Sequence, residues 1–146
     1  MKTDSSVTLL KRKAREIVVK MLYEMEMGDL EAPQAEQRIR RKCSRPDIRK
    51  FALRLMRETL AHMEAIDQVI GQVAENWELS RMAAFDRNLL RLGTAEILFL
   101  EDVPVKVTIN EAIDIAKRYS TENSGRFVNG ILDKVARMKG DLRNNL

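Results

Sequence analysis

The chain has 146 residues, with 26 Lys and Arg against 22 Asp and Glu, a formal charge of +4 and a pI near 9.4. That length buries enough apolar surface to fold without a metal or a disulfide, and the single Cys43 excludes an internal disulfide or a thiolate cluster. Aromatic residues make up only 5% of the chain, which excludes an aromatic-rich sheet platform for RNA. Scarce β-branched alternation with three prolines and six glycines predicts an all-α protein.

Residues 1–6 are polar and are expected to fray. From Thr8 to about Met27 the apolar residues Leu10, Ala14, Ile17, Val18, Met21, Leu22 and Met25 recur at helical spacing. Lys11, Arg12, Lys13 and Arg15 crowd the start of that helix, where cations oppose the helix dipole. Two readings stay open: a solvated basic turn, or a basic arm that grips phosphates. Gly28-Asp29 closes the helix, and Pro33 suits the first turn of a second one reaching about Lys42. Its apolar stripe is thin, Ala35 and Ile39, so it should lie on the surface. The cationic run Arg38, Arg40, Arg41, Lys42, Arg45, Arg49 and Lys50 is either merely soluble or RNA-facing. Pro46-Asp47 starts a third helix, whose period runs from Ile48 through Ile66 to Val73, with a break expected near 67–71.

Ala74–Ser80 reads as the junction between two halves, about 1–76 and 77–146. Trp77 there reads first as a plug in the joint and otherwise as a base-stacking residue. Met82, Phe85, Leu89, Leu92, Ala95 and Phe99 trace a central buried helix from about Arg81 to Leu100, with Asp86, Arg87 and Arg91 on its polar side. Asp102–Pro104 ends that run. Thr108-Ile-Asn-Glu111 has the form of a capping box for the next helix, whose stripe is Val107, Ile109, Ala112, Ile113, Ala116 and Tyr119. Thr121-Glu-Asn-Ser124 is a polar turn offering two N-caps. The last stripe, Phe127, Val128, Ile131, Leu132, Val135 and Met138, is expected to stop at Gly140. Seven helices, or six, result.

Chemistry is hard to find along this chain. His62 is the one histidine and Cys43 the one cysteine, which leaves no secure Ser–His–Asp or Cys–His set. A lone histidine without a cluster does not make a metal site. No GxxxxGK[ST] or post-strand GxGxxG loop is present. Glu96, the one acid near an apolar stripe, is expected to pair with an arginine or the backbone. The chain therefore reads as a binding protein, not an enzyme, with no cofactor. No signal peptide or membrane-length apolar run is visible, so a cytoplasmic location and no membrane partner are expected. Single-stranded RNA is held by a cationic groove and a few flat side chains. Phe127 beside the Asn123-Ser124 turn is open to both a core and a base-contact reading. Asn123 can donate and accept toward base edges, and the free N–H groups at the start of the last helix suit a phosphate.

The stretch INEAIDIAKRYST followed by SGRFVNGILDK resembles the C-terminal signature of the NusB family of bacterial transcription antitermination factors. Asn110, Glu111, Ser124, Phe127, Asn129 and Gly130 carry the likeness, because helical periodicity alone does not dictate them. NWELSRMAAFDRNLLRLGTAEILFLEDVP and the opening KRKAREIVVKMLYEMEM resemble the family as well. The resemblance implies an all-helical fold of two bundles and a non-catalytic factor. It implies binding of boxA RNA in ribosomal RNA leaders, together with NusE, and assembly with other Nus factors on RNA polymerase. A protein-interaction scaffold with incidental RNA affinity is the alternative.

By position, the resemblance makes Lys11, Arg12, Lys13 and Arg15 the RNA-contacting arm. It places Asn123, Ser124 and Phe127 at an RNA-proximal turn, with Arg91 along the same surface, and it puts Tyr23 and Asp86 near NusE. Asn123 stands where many members carry Asp, and the arm is richer in lysine than the family's, which weakens bidentate phosphate gripping. Related domains fused to ribosomal RNA methyltransferases also exist; 146 residues leave no room for a cofactor-binding domain beside this one, so a free-standing binding factor is expected. Oligomeric state stays open; a homodimer that covered the arm would be inhibitory. The expected grip requires the arm and the polar turn to share one footprint.

Overall fold

The computed structural model describes residues 5–140, which form seven α-helices and one short 3₁₀ turn, Leu79–Arg81. The expected fraying of residues 1–6 falls largely outside the described residues; α1 already begins at Ser5. The helices are α1 Ser5–Glu26, α2 Ala32–Lys42, α3 Pro46–Ala61, α4 Met63–Val73, α5 Ala84–Phe99, α6 Val105–Tyr119 and α7 Glu122–Arg137. The all-α expectation holds. Two compact units emerge, Met1–Arg57 and Glu58–Leu146. That division falls before the expected border near residue 76, because α4 packs on α5 and α7 and so joins the C-terminal helices.

In the first unit α1 packs on α2. Gly28 ends α1 with a positive φ of 86°. Its N–H donates to the Met25 carbonyl at 3.1 Å, and that of Asp29 to the Glu24 carbonyl at 3.0 Å. This paired closure is the Schellman pattern, and it favours glycine because other residues resist a positive φ. Pro33 sits in the first turn of α2, whose only buried side chains are Ala35 and Ile39, as its thin stripe requires.

In the second unit α5 is central, touching α4, α6 and α7. From Asn88 to Leu98 every residue is buried except the half-buried Arg91. Gly93 lets α7 come close: a Cβ there would lie 2.8 Å from Leu132 Cδ1, inside van der Waals contact. The long period after Pro46 is broken at His62, earlier than the expected 67–71. The imidazole stacks on Phe99 with centroids 3.9 Å apart, and its Nε2 lies 3.4 Å from Glu58.

Helix α6 departs from expectation. It begins at Val105 behind Pro104, with no side-chain cap, so Thr108 and Glu111 lie a turn inside it and form no capping box. The Thr108 hydroxyl instead donates to Glu96 Oε1 at 2.9 Å. Glu96 is 0% exposed, and a buried carboxylate without donors is costly. That contact between helices outweighs a local cap. Val107 and Met138, read as core, are exposed, and α7 stops at Arg137, before Gly140.

Candidate nucleic-acid interface

On α1 the four cations of the basic arm have different fates. The helix starts at Ser5, so they lie beyond its first turn and escape most of the dipole penalty, which fades within that turn. Lys11 and Arg15, four residues apart, share a face. Lys11 Nζ lies 5.1 Å and Arg15 Cζ 5.0 Å from the centroid of the Phe51 ring, close enough for cation–π attraction. Phe51 is buried, and Arg15 is only 2% exposed. Lys11 and Arg12 are half-buried and Lys13 is exposed. The arm thus has a seated side and a solvent side. Further along α1, Tyr23 and Met27 are both exposed and one turn apart, forming a small apolar strip. In the cationic run of α2 and α3, Arg38 pairs with Glu24 at 2.6 Å and Arg45 with Asp47 at 2.9 Å, while Arg40, Arg41, Lys42 and Lys50 are exposed.

The second unit builds the polar corner at the start of α7. Thr121 is its N-cap: its hydroxyl accepts from the Ser124 N–H at 3.0 Å. Ser124 is buried and its Oγ donates to Asp86 Oδ2 at 2.9 Å. With its only hydrogen on that carboxylate, Ser124 Oγ accepts from Ser120 Oγ at 2.8 Å. These bonds tie the start of α5 to the start of α7. They also spend the Ser124 N–H that a phosphate was expected to use, and set a carboxylate behind it. Asn123, one residue earlier, is exposed.

A cleft of about 270 Å³ opens beside the corner, lined by Trp77, Arg81, Met82, Asp86, Asn123, Ser124 and Phe127 among others. Trp77 is 57% exposed and meets Phe127 edge-on, with centroids 5.4 Å apart. This corrects the reading of Trp77 as a plug in a joint. Phe127 is half-buried, which reconciles its two readings: one part of the ring packs and another lines the cleft.

Two expected site residues sit differently from their assignments. Arg91 is held bidentate by Asp67, at 2.8 and 2.9 Å, and reaches Asn88 Oδ1 at 3.1 Å; its side chain is 14% exposed. It braces α5 against α4. Asp86, expected on a protein-binding face, is buried at 7% exposure, and its Oδ1 has no partner among the described residues. Elsewhere, burial pushes the Cys43 thiol up, with Arg49 pulling the other way, so it is a poor nucleophile. Among the described residues no group of His, Cys, Asp or Glu is placed to hold a metal.

The sequence model of the NusB family matches residues 12–137. The chain belongs to the NusB family. A relative from Salinibacter ruber, named transcription antitermination protein NusB, is 50% identical over 127 residues, covering 86% of this chain and 79% of its own length. The solved structure of NusB from T. maritima superposes with a TM-score of 0.78 at 38% identity, over 100% of both chains. A solved complex of NusB and NusE with double-stranded RNA contains a chain that superposes with a TM-score of 0.78 at 25% identity, over 88% of this chain and 96% of that one. The NusB match spans every expected site residue except Lys11. What the family resemblance did not supply was the exposure of Trp77 and the burial of Asp86. The first had a local signal: Trp77 lies in the mostly polar run ENWELSR, and the positions three and four after it are Ser80 and Arg81, so the apolar stripe of Val73 does not continue past it.

Proposed function

We infer that this chain works as a non-catalytic transcription antitermination factor, holding boxA single-stranded RNA together with NusE and joining other Nus factors on RNA polymerase in the cytoplasm. The observation that carries this reading is the family match over residues 12–137, which contains the basic arm from Arg12 onward and the polar corner. The solved NusB–NusE–RNA complex, whose NusB chain superposes on this one, supports both partners. No helix among the described residues is long and apolar enough to cross a membrane.

In this reading Lys11, which is half-buried against Phe51, attracts the phosphate backbone together with Arg12 and Lys13. Asn123 and Phe127 meet the bases. Ser124 and Arg15 hold those groups in place from beneath. Arg91 serves the fold and not the RNA. The Tyr23–Met27 strip is the surface offered to NusE, since an exposed aromatic beside a methionine suits a protein contact; Asp86, the other residue that the resemblance puts near NusE, is bound to Ser124 in the polar corner. A gel shift of boxA RNA with this protein, with NusE and with both tests the reading. The expected result is a complex that is tightest with both proteins and weaker on scrambled RNA. Equal binding to boxA and scrambled RNA with NusE present would instead favour a scaffold with incidental RNA affinity.

A further inference from the structure

The cleft beside the polar corner carries an assignment that the sequence offers only as the second reading of Trp77 and that the family comparison does not make. Its walls include an exposed indole, the edge of Phe127 and Met82. A large aromatic at 57% exposure leaves a flat apolar face in water, which is unfavourable unless something covers it. The cleft also contains a buried carboxylate, Asp86, with one oxygen already bound by Ser124 and the other without a partner. A phosphate entering there would meet that negative charge. A neutral flat group would not. In the lining, Arg81, exposed and only loosely paired with Glu78 at 3.8 Å, provides a cation for the phosphates on either side of such a group, and exposed Asn123 provides a donor and an acceptor. Flat wall, excluded anion, cationic rim and adaptable amide together describe capture of an unpaired base.

We propose that Trp77 is a base-stacking residue, and that the Trp77–Phe127 cleft takes one unpaired nucleobase of the bound RNA while Asp86 keeps phosphate out. This rests on the RNA-binding reading above and deepens it. An exposed tryptophan is also a common anchor for a protein partner, but a segment of protein has no need of a cation at the rim and a barrier to anions at the floor.

Trp77 is the only tryptophan in the chain, so its emission reports on this cleft alone. The experiment titrates the full chain with end-labelled boxA RNA, reading the anisotropy of the label and the emission of Trp77 in the same cuvette; the W77F variant sets the background. Stacking predicts that the emission falls in step with the anisotropy. It further predicts that W77A binds about ten-fold more weakly, as for the loss of one base stack, with an unchanged dependence on salt because no ionic contact is lost. RNA that binds by anisotropy while Trp77 emission stays constant overturns the base pocket and leaves the RNA-binding function standing. No binding by anisotropy, with or without NusE, overturns that function instead. A second arm uses a tryptophan-free NusE without RNA: an emission change there marks the cleft as a protein contact and overturns the proposal. In a third arm D86N, which keeps an acceptor for Ser124, opens the cleft to phosphate, so the dependence of RNA affinity on salt should steepen. An unchanged slope would show that Asp86 does not keep phosphate out and overturns that half of the proposal.

Discussion

The basic arm on α1 and the polar corner at the head of α7 solve the same problem in different ways. Each must present a few groups to a partner from a short stretch of helix. The arm does it by rotation: Lys11 and Arg15 turn onto Phe51, while Lys13 faces solvent. The corner does it by a hydrogen-bond network: Ser124 is locked between Thr121, Ser120 and Asp86, and its neighbour Asn123 is left outside. In both, the residue that reads as functional and the residue that holds it lie within two positions of each other in sequence. The arm's seat is soft, since a cation over a ring constrains distance more than direction. The corner's seat is directional and is largely removed from water, so damage there should cost more.

The largest effect is expected where a charged pair is closest to buried. R91A leaves Asp67 without its bidentate partner, and removal of one member of such a pair costs about 3 kcal/mol, or a fall in Tm of roughly 6–12 °C for a chain of this size. The salt slope of RNA binding should not change. A flatter slope with intact stability would return Arg91 to the RNA surface. Next comes S124A, which deprives the Asp86 carboxylate of its hydroxyl donor at a cost of about 2 kcal/mol. Chemical denaturation reads this directly. If S124A is as stable as the parent but fails to bind RNA, the corner is a contact and not a brace.

The contrast also separates what was legible in the sequence from what was not. Helix α2, with Pro33 at its start and two apolar residues, was legible because both signals are local. So was the end of α1 at Gly28, and the burial of α5. The capping box at Thr108 was misread because the signal was local but the competitor was not: Glu96 lies on another helix and is buried. The same holds at the site. Residue type and resemblance picked out Arg15, Asp86 and Ser124, but which face of a helix turns inward depends on Phe51 for the first, and on each other for the last two. Nothing within four residues of Asp86 announces Ser124.

The arm sharpens the comparison at an intermediate level. Each phosphate contact removed should flatten the plot of log affinity against log salt by about 0.7 for single-stranded RNA. K11A and K13A are each expected to show this. R15A is not, because a guanidinium at 2% exposure braces the arm from beneath. The K11A/R15A pair should therefore show the slope of K11A alone. A loss near twice that value would make Arg15 a second phosphate contact, and the arm would then have no seated side.

The smallest effect probes the outer residue of the corner. Asn123 is exposed, and the family resemblance puts aspartate at this position in many members. N123D adds one negative charge beside RNA without touching the Ser124 network. At about 6 Å from a phosphate in water, that repulsion is roughly 0.7 kcal/mol, about three-fold in affinity. Screening shortens its reach as salt rises, so the difference between N123D and the parent should shrink from 50 mM toward 500 mM salt, as titrations at about those concentrations would show. A difference that persists undiminished would come from a hydrogen bond that the Asn123 amide makes to a base and a carboxylate does not, and would show that its contact with a base outweighs its effect on the field around the RNA.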